Sequence, residues 1–161
     1  MDSLVTLKFF RVSLANPHNI PFERALKEAL NLGPSPSLRE LDINAGIGEK
    51  LIVRLERMTE TDDVLFGEII RKQISNIPPE AHDSGLSPIR LSNNGGIGLS
   101  AVFRYHKPTK TLVLQSNIHA MTQSRLNYYL KSVNVNAEYV FDPIPTVSAW
   151  ERFNPSYSPR A

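Results

Sequence analysis

Four histidines, His18, His82, His106 and His119, are the side chains whose type best suits acid–base or metal chemistry. None stands three or four residues from another and no HExxH occurs, so a helical metal pair is not available. Cysteine is absent, which removes disulfides and thiolate metal ligands within the chain and fits a reducing cytoplasm. His119 falls at a strand-to-helix junction beside Gln115 and Ser116, where supporting the helix start is a simpler role than general-base catalysis. His82, Asp83 and Ser84 spell a triad on paper, but adjacent residues do not normally converge on one point. Gly95-Gly96-Ile97-Gly98 lacks the following helix and the Lys-Ser/Thr of a phosphate loop; it and Gly46-Ile47-Gly48 read as turns. Asp62, Asp63 and Glu68, with Lys72 downstream, are acids that a metal-dependent nuclease would want on a hairpin. Their spacing to the lysine departs from the usual D…ExK arrangement. No catalytic residue, metal ligand or cofactor is assigned on these patterns.

The basic residues are better placed for binding. Arg54, Arg71, Lys72, Arg104, Lys107 and Arg125 come from strands, turns and a helix, joined by His106, Lys110 and Lys131. On neighbouring strands such residues would form a stripe for phosphates, with Tyr105, Tyr128 and Tyr129 free to stack on bases or to pack. Glu56 and Glu68 stand ready to balance part of that charge. A net charge of +2 and a pI near 9.0 are compatible with nucleic acid and do not by themselves argue for it. Trp150 and Phe153 are spaced to share one side of a helical turn in a proline-rich stretch, a pattern that suits docking onto a partner.

The elements that must position these residues can be read from periodicity. Residues 3–14 form a β-rich run that reads as a central first strand. Pro21 then suits the first turn of a helix capped by Asn19, in which Phe22, Ala25, Leu26, Ala29 and Leu30 make one apolar stripe, stopped by Gly33-Pro34. Residues 50–58 and 64–75 alternate as an antiparallel hairpin, where Gly67 marks a bulge or a close backbone approach. A loop spans 78–88, and Ile89-Arg90-Leu91 reads as a short edge strand. Leu99, Ala101, Phe103 and Tyr105 alternate with polar neighbours, a turn at Pro108 follows, and 111–115 return as the partner strand. Met121, Leu126, Tyr129 and Leu130 then mark a second helix, and 136–141 a last strand. The fold expected is α+β: a mostly antiparallel sheet of five to seven strands with two helices packed on one face. Residues 1–145 form a single domain and 146–161 a proline-rich tail or linker. No apolar run reaches the ~20 residues of a membrane span, so a soluble cytoplasmic protein is the default.

The pattern GEIIRKQ…LSPIRL…GLSAVFRYHKPTKTLVLQSN…RLNYYL resembles a group of bacterial proteins associated with phage defence and mobile elements. The shared positions are Gly67, Ile69 and Arg71, then Phe103, Tyr105, Leu112 and Gln115, then Tyr129 and Leu130, across roughly residues 1–142. The arrangement is also similar to the DNA-binding part of the phage lambda exclusion protein and to the DNA-binding effector of the Kiwa defence system. The resemblance implies either an N-terminal domain of a longer protein or a short relative, and carries over no catalytic residue. The function expected is a non-enzymatic nucleic-acid-binding domain acting on DNA or RNA. The alternative is an interaction or dimerisation module, through strand edges or Trp150 and Phe153, with a homodimer mate or a second defence protein. A metal-dependent nuclease is the third reading.

Overall fold

The computed structural model describes residues 5–44 and 48–145; Gly46, Ile47, Trp150 and Phe153 lie outside them. In chain order the elements are β1 (Leu7–Leu14), α1 (Phe22–Leu30), a single 3-10 turn (Pro36–Arg39), β2 (Leu41–Asp42), β3 (Ile52–Glu60), β4 (Val64–Gln73), β5 (Glu80–His82), β6 (Gly85–Ser87), β7 (Ile97–His106), β8 (Thr111–Gln115), α2 (Gln123–Val133) and β9 (Tyr139–Pro143). Seven strands form one sheet in the order β2-β3-β4-β7-β8-β1-β9, and every pair in it is antiparallel. The fold is α+β, with both helices on one face.

Alternation decides which face that is. Val53 and Leu55, Leu65 and Ile69, Ala101 and Phe103, Leu112 and Leu114, and Phe10 and Val12 all point to the helix side and are buried. Phe22, Ala25, Leu26 and Ala29 of α1 and Leu126, Tyr129 and Leu130 of α2 close over them as one core. Each large apolar side chain so buried contributes about 1.5–3 kcal/mol. Gly67 belongs to the same side of β4. A Cβ there would lie 2.5 Å from the Phe103 ring and 2.9 Å from the Arg57 carbonyl, so the residue serves close approach. The bulge is on the partner strand, between Leu55 and Arg57.

Three local expectations need correction. The first strand is sixth of seven, not central, and only Phe10 and Val12 of it are buried. Asn19 does not cap α1; the cap position is Pro21 and has no side-chain bond. The Asn19 amide instead accepts from the Asn16 N–H and donates to the Asn136 carbonyl, tying the loop after β1 to the one before β9. Ile89-Arg90-Leu91 forms no strand; the nearby pairing is the small β5–β6 hairpin, inside the stretch expected to be a loop.

Both sheet edges are occupied by side chains. Next to the two-residue β2, the Leu55 N–H donates to the Tyr129 hydroxyl at 3.1 Å, and that hydroxyl donates to the Arg39 carbonyl at 3.0 Å. The buried Arg39 guanidinium donates in turn to the carbonyls of Gly33, Pro34, Leu55 and Glu56. On β9, Asn127 satisfies both backbone groups of Tyr139, at 3.0 and 3.2 Å, and Pro143 has no N–H to offer. Edges treated this way are poor templates for a further strand.

Candidate nucleic-acid interface

With the helices on one side and the edges occupied, no helix among the described residues covers the opposite face of the sheet. Its composition follows from register. Phe66 pairs with Arg104, Arg104 with Val113, and Val113 with Phe9; the Ile144 N–H donates to the Phe9 carbonyl at the end of the row. Four neighbouring strands thus present Phe, Arg, Val and Phe in a line. The outer aromatics stand about 14 Å apart, three strand spacings of ~4.8 Å. Phe66 is 49% and Phe9 37% exposed. Arg104 is exposed and makes no ion pair or side-chain hydrogen bond among the described residues. One row over, Arg57 and Glu68 pair at 2.8 Å, beside Val102.

The six basic residues singled out from the sequence do not form one stripe. Arg54 and Lys72 share the open face and border the loop of Gly95, Gly96 and Gly98, around a shallow cavity of about 200 Å³. Arg54 is bonded to Glu40 at 2.8 Å and Glu56 at 2.7 Å, and Lys72 to Glu40 at 3.1 Å. Two cations and two carboxylates cancel there, which leaves little field for a phosphate. The glycines act by closeness: a Cβ on Gly96 would meet the Gln73 carbonyl at 2.6 Å, while the left-handed residue of that turn is Asn94. Lys107, at the far end of β4 and β7, bonds Glu60 and the Thr61 carbonyl. Glu60 takes a second bond from Lys27, and these two ammonium groups hold its carboxyl below the usual range.

Arg71 and Arg125 lie on the helix side. They hold the loop before α2, Arg71 through the His119 carbonyl at 2.7 Å and Arg125 through the carbonyls of Ile118 and Ala120. Burial and the neighbouring Arg71 pull the Arg125 guanidinium below its ordinary pKa. His119 is part of that support, its N–H donating to Asn117. Of the tyrosines considered for base stacking, Tyr105 and Tyr129 are core residues, and Tyr128 is exposed on α2, away from the open face. Arg104 is therefore the residue of the expected set that the open face presents without a counter-charge. Phe66, Phe9 and Val113 were missed. Their signal was the parity opposite to the buried positions, which becomes meaningful once register is known.

The catalytic arrangements considered do not assemble. Glu68 is committed to Arg57 on the open face, whereas Asp62 and Asp63 lie in the β3–β4 turn, five residues or more along the chain from it. Among the described residues no group of three metal-ligating side chains converges. His82 does meet a serine, but it is Ser87 across the β5–β6 hairpin, with Nε2 2.7 Å from Oγ. Glu80 approaches the same Nε2 at 3.7 Å; among the described residues no acid orients Nδ1 as a triad requires, and His82 and Glu80 are exposed.

No protein-family model matches the chain, and no curated protein or solved structure does so either. No helix among the described residues is long and apolar enough to cross a membrane.

Proposed function

We propose that the chain is a nucleic-acid-binding domain that works without catalysis, and that the open sheet face takes an extended single strand of DNA or RNA. The observation that carries this reading is the row Phe66, Arg104, Val113 and Phe9. An uncompensated guanidinium attracts the backbone and stacks on base planes, while exposed aromatic rings accept any base by stacking. An open sheet face suits splayed bases better than a duplex, whose groove needs a protruding helix or ribbon. The motif similar to antiphage-defence and phage-related proteins supports the same class, with the cytoplasm as its place of action.

The test is a fluorescence-anisotropy titration with single- and double-stranded DNA and RNA at two salt concentrations. Single strands should bind more tightly, with affinity falling as salt rises. Phe66→Ala and Arg104→Ala should each weaken binding by about 1–3 kcal/mol, roughly 5- to 150-fold, and only the arginine change should reduce the salt slope. Equal affinity of both variants and the parent at matched salt would overturn the reading.

A second reading, a protein-interaction module, rests on a different part of the same face. Leu7, Val140 and Ile144, at 50, 44 and 36% exposure, add aliphatic surface on either side of the Arg11–Asp142 pair of β1 and β9. Light scattering on a Leu7→Lys, Val140→Lys variant separates the two: loss of self-association with nucleic-acid affinity intact would favour it.

A further inference from the structure

A cavity of about 170 Å³ opens where β1 hands over to α1, well removed from the row on the open face. A single water needs only ~10–15 Å³ by the same measure, so the space suits a small organic group. Val12, Leu14 and Pro21 give it apolar walls, and the Phe22 ring lies 4.8 Å from that of Tyr105 and 5.1 Å from that of Tyr139. Four polar side chains on its lining, Ser13, Glu23, Tyr105 and Lys110, form no side-chain hydrogen bond or ion pair among the described residues. Tyr105 is 2% exposed, and its hydroxyl makes no hydrogen bond. No sealed-off polar atom among the described residues lacks a partner, so that hydroxyl must open onto the cavity. Glu23, half-buried in the first turn of α1, forms neither an ion pair nor a side-chain hydrogen bond. The contrast with the other deep phenols is plain: Tyr139 donates to the Ile20 carbonyl and Tyr129 to that of Arg39.

Glu23 and Lys110 bring one charge of each sign to the lining. After burial, Glu23 raises the Tyr105 hydroxyl, and Glu23 followed by Glu28 raises that of Tyr139; the exposed Lys110 pairs with no carboxylate among the described residues. At the phenols the charge felt first is the Glu23 carboxylate, which disfavours an anion at that end. A neutral alcohol would satisfy Tyr105 and leave the carboxylate uncompensated. A divalent metal would want several more oxygen ligands than the lining offers.

We propose that this cavity binds a small aliphatic primary ammonium, its charge on the Glu23 carboxylate, one N–H on the Tyr105 hydroxyl oxygen and its methylenes along Val12, Leu14 and Pro21. This is independent of the nucleic-acid reading, since neither needs the other's residues. The test is an NMR titration of the full chain with butylamine, using butanol and butyrate as shape-matched controls. Butylamine should give saturable shifts at Phe22, Glu23 and Tyr105, with little from either control. Glu23→Gln should weaken it about tenfold or more and Tyr105→Phe by a smaller factor, a charged pair being the stronger contact. Glu23 contacts no charge partner, so its variant should keep the parent's spectrum, which separates lost binding from lost fold. Equal shifts with butanol, non-saturating shifts spread over other carboxylates, or parental affinity in a folded Glu23→Gln variant would each overturn the proposal.

Discussion

The two faces of the sheet are made by the same strands and obey opposite rules. On the helix side, Ile69, Phe103, Leu112 and Leu114 are fully enclosed, and the phenol of Tyr129 is both donor and acceptor. On the other side, Phe66 is half in water and Arg104 has no counter-charge among the described residues. Neighbours in sequence differ by one residue and by their whole environment, because side chains alternate along a strand. The proposed binding face thus keeps large apolar groups wet while its reverse side is packed.

That contrast can be broken by substitution. Phe103→Ala should cost about 3–5 kcal/mol, since the space it leaves against Gly67 cannot close, whereas Phe66→Ala should move stability by under about 0.5 kcal/mol. Denaturant melts of the pair decide it; similar losses would mean the open face is structural after all. Tyr129→Phe comes next, at about 1–3 kcal/mol, because it strands the Leu55 N–H and the Arg39 carbonyl.

A gentler probe is alkaline pH. Burial, followed by Glu23, pushes the Tyr105 hydroxyl up to about 12, and burial raises Tyr139 as well. The folded state therefore keeps these protons when the unfolded chain has released them. Their contribution is intact below about pH 10, the ordinary tyrosine value, and fades as pH climbs towards about 12. Melting midpoints measured through that window should fall, and Tyr105→Phe should flatten the slope. A pH-independent midpoint in the parent would contradict the assigned burial. Smallest of all should be the effect of Arg104→Ala on melting, which is expected to be undetectable.

The motif residues explain what was legible from sequence and what was not. Gly67, Ile69, Phe103, Tyr105, Leu112, Tyr129 and Leu130 are core positions or close approaches, and the Gln115 amide oxygen accepts from the Val102 N–H. They report the hairpins, the helix and the burial pattern, so the α+β architecture and the helix side of the sheet could be read directly. The pairings that set the rest are long-range. Nothing local shows that Phe9 lies in line with Phe66, or that Glu40 reaches Arg54 and Lys72. A basic residue looks available in one dimension, and its partner is found only in three. Arg71 and Arg125 illustrate the point: both satisfy carbonyls of a loop that sequence could place but not shape.

The way α2 occupies both edges has a kinetic consequence. Tyr129 reaches the β3 side and Asn127 the β9 side, from one eleven-residue helix. Until that helix docks, a partly assembled sheet offers unpaired strand backbone at each end. Refolding yield should therefore drop as protein concentration rises, even though the finished molecule resists strand addition. A change that slows α2 docking would turn a well-behaved protein into one that aggregates during its own synthesis, with no fault visible in the native state.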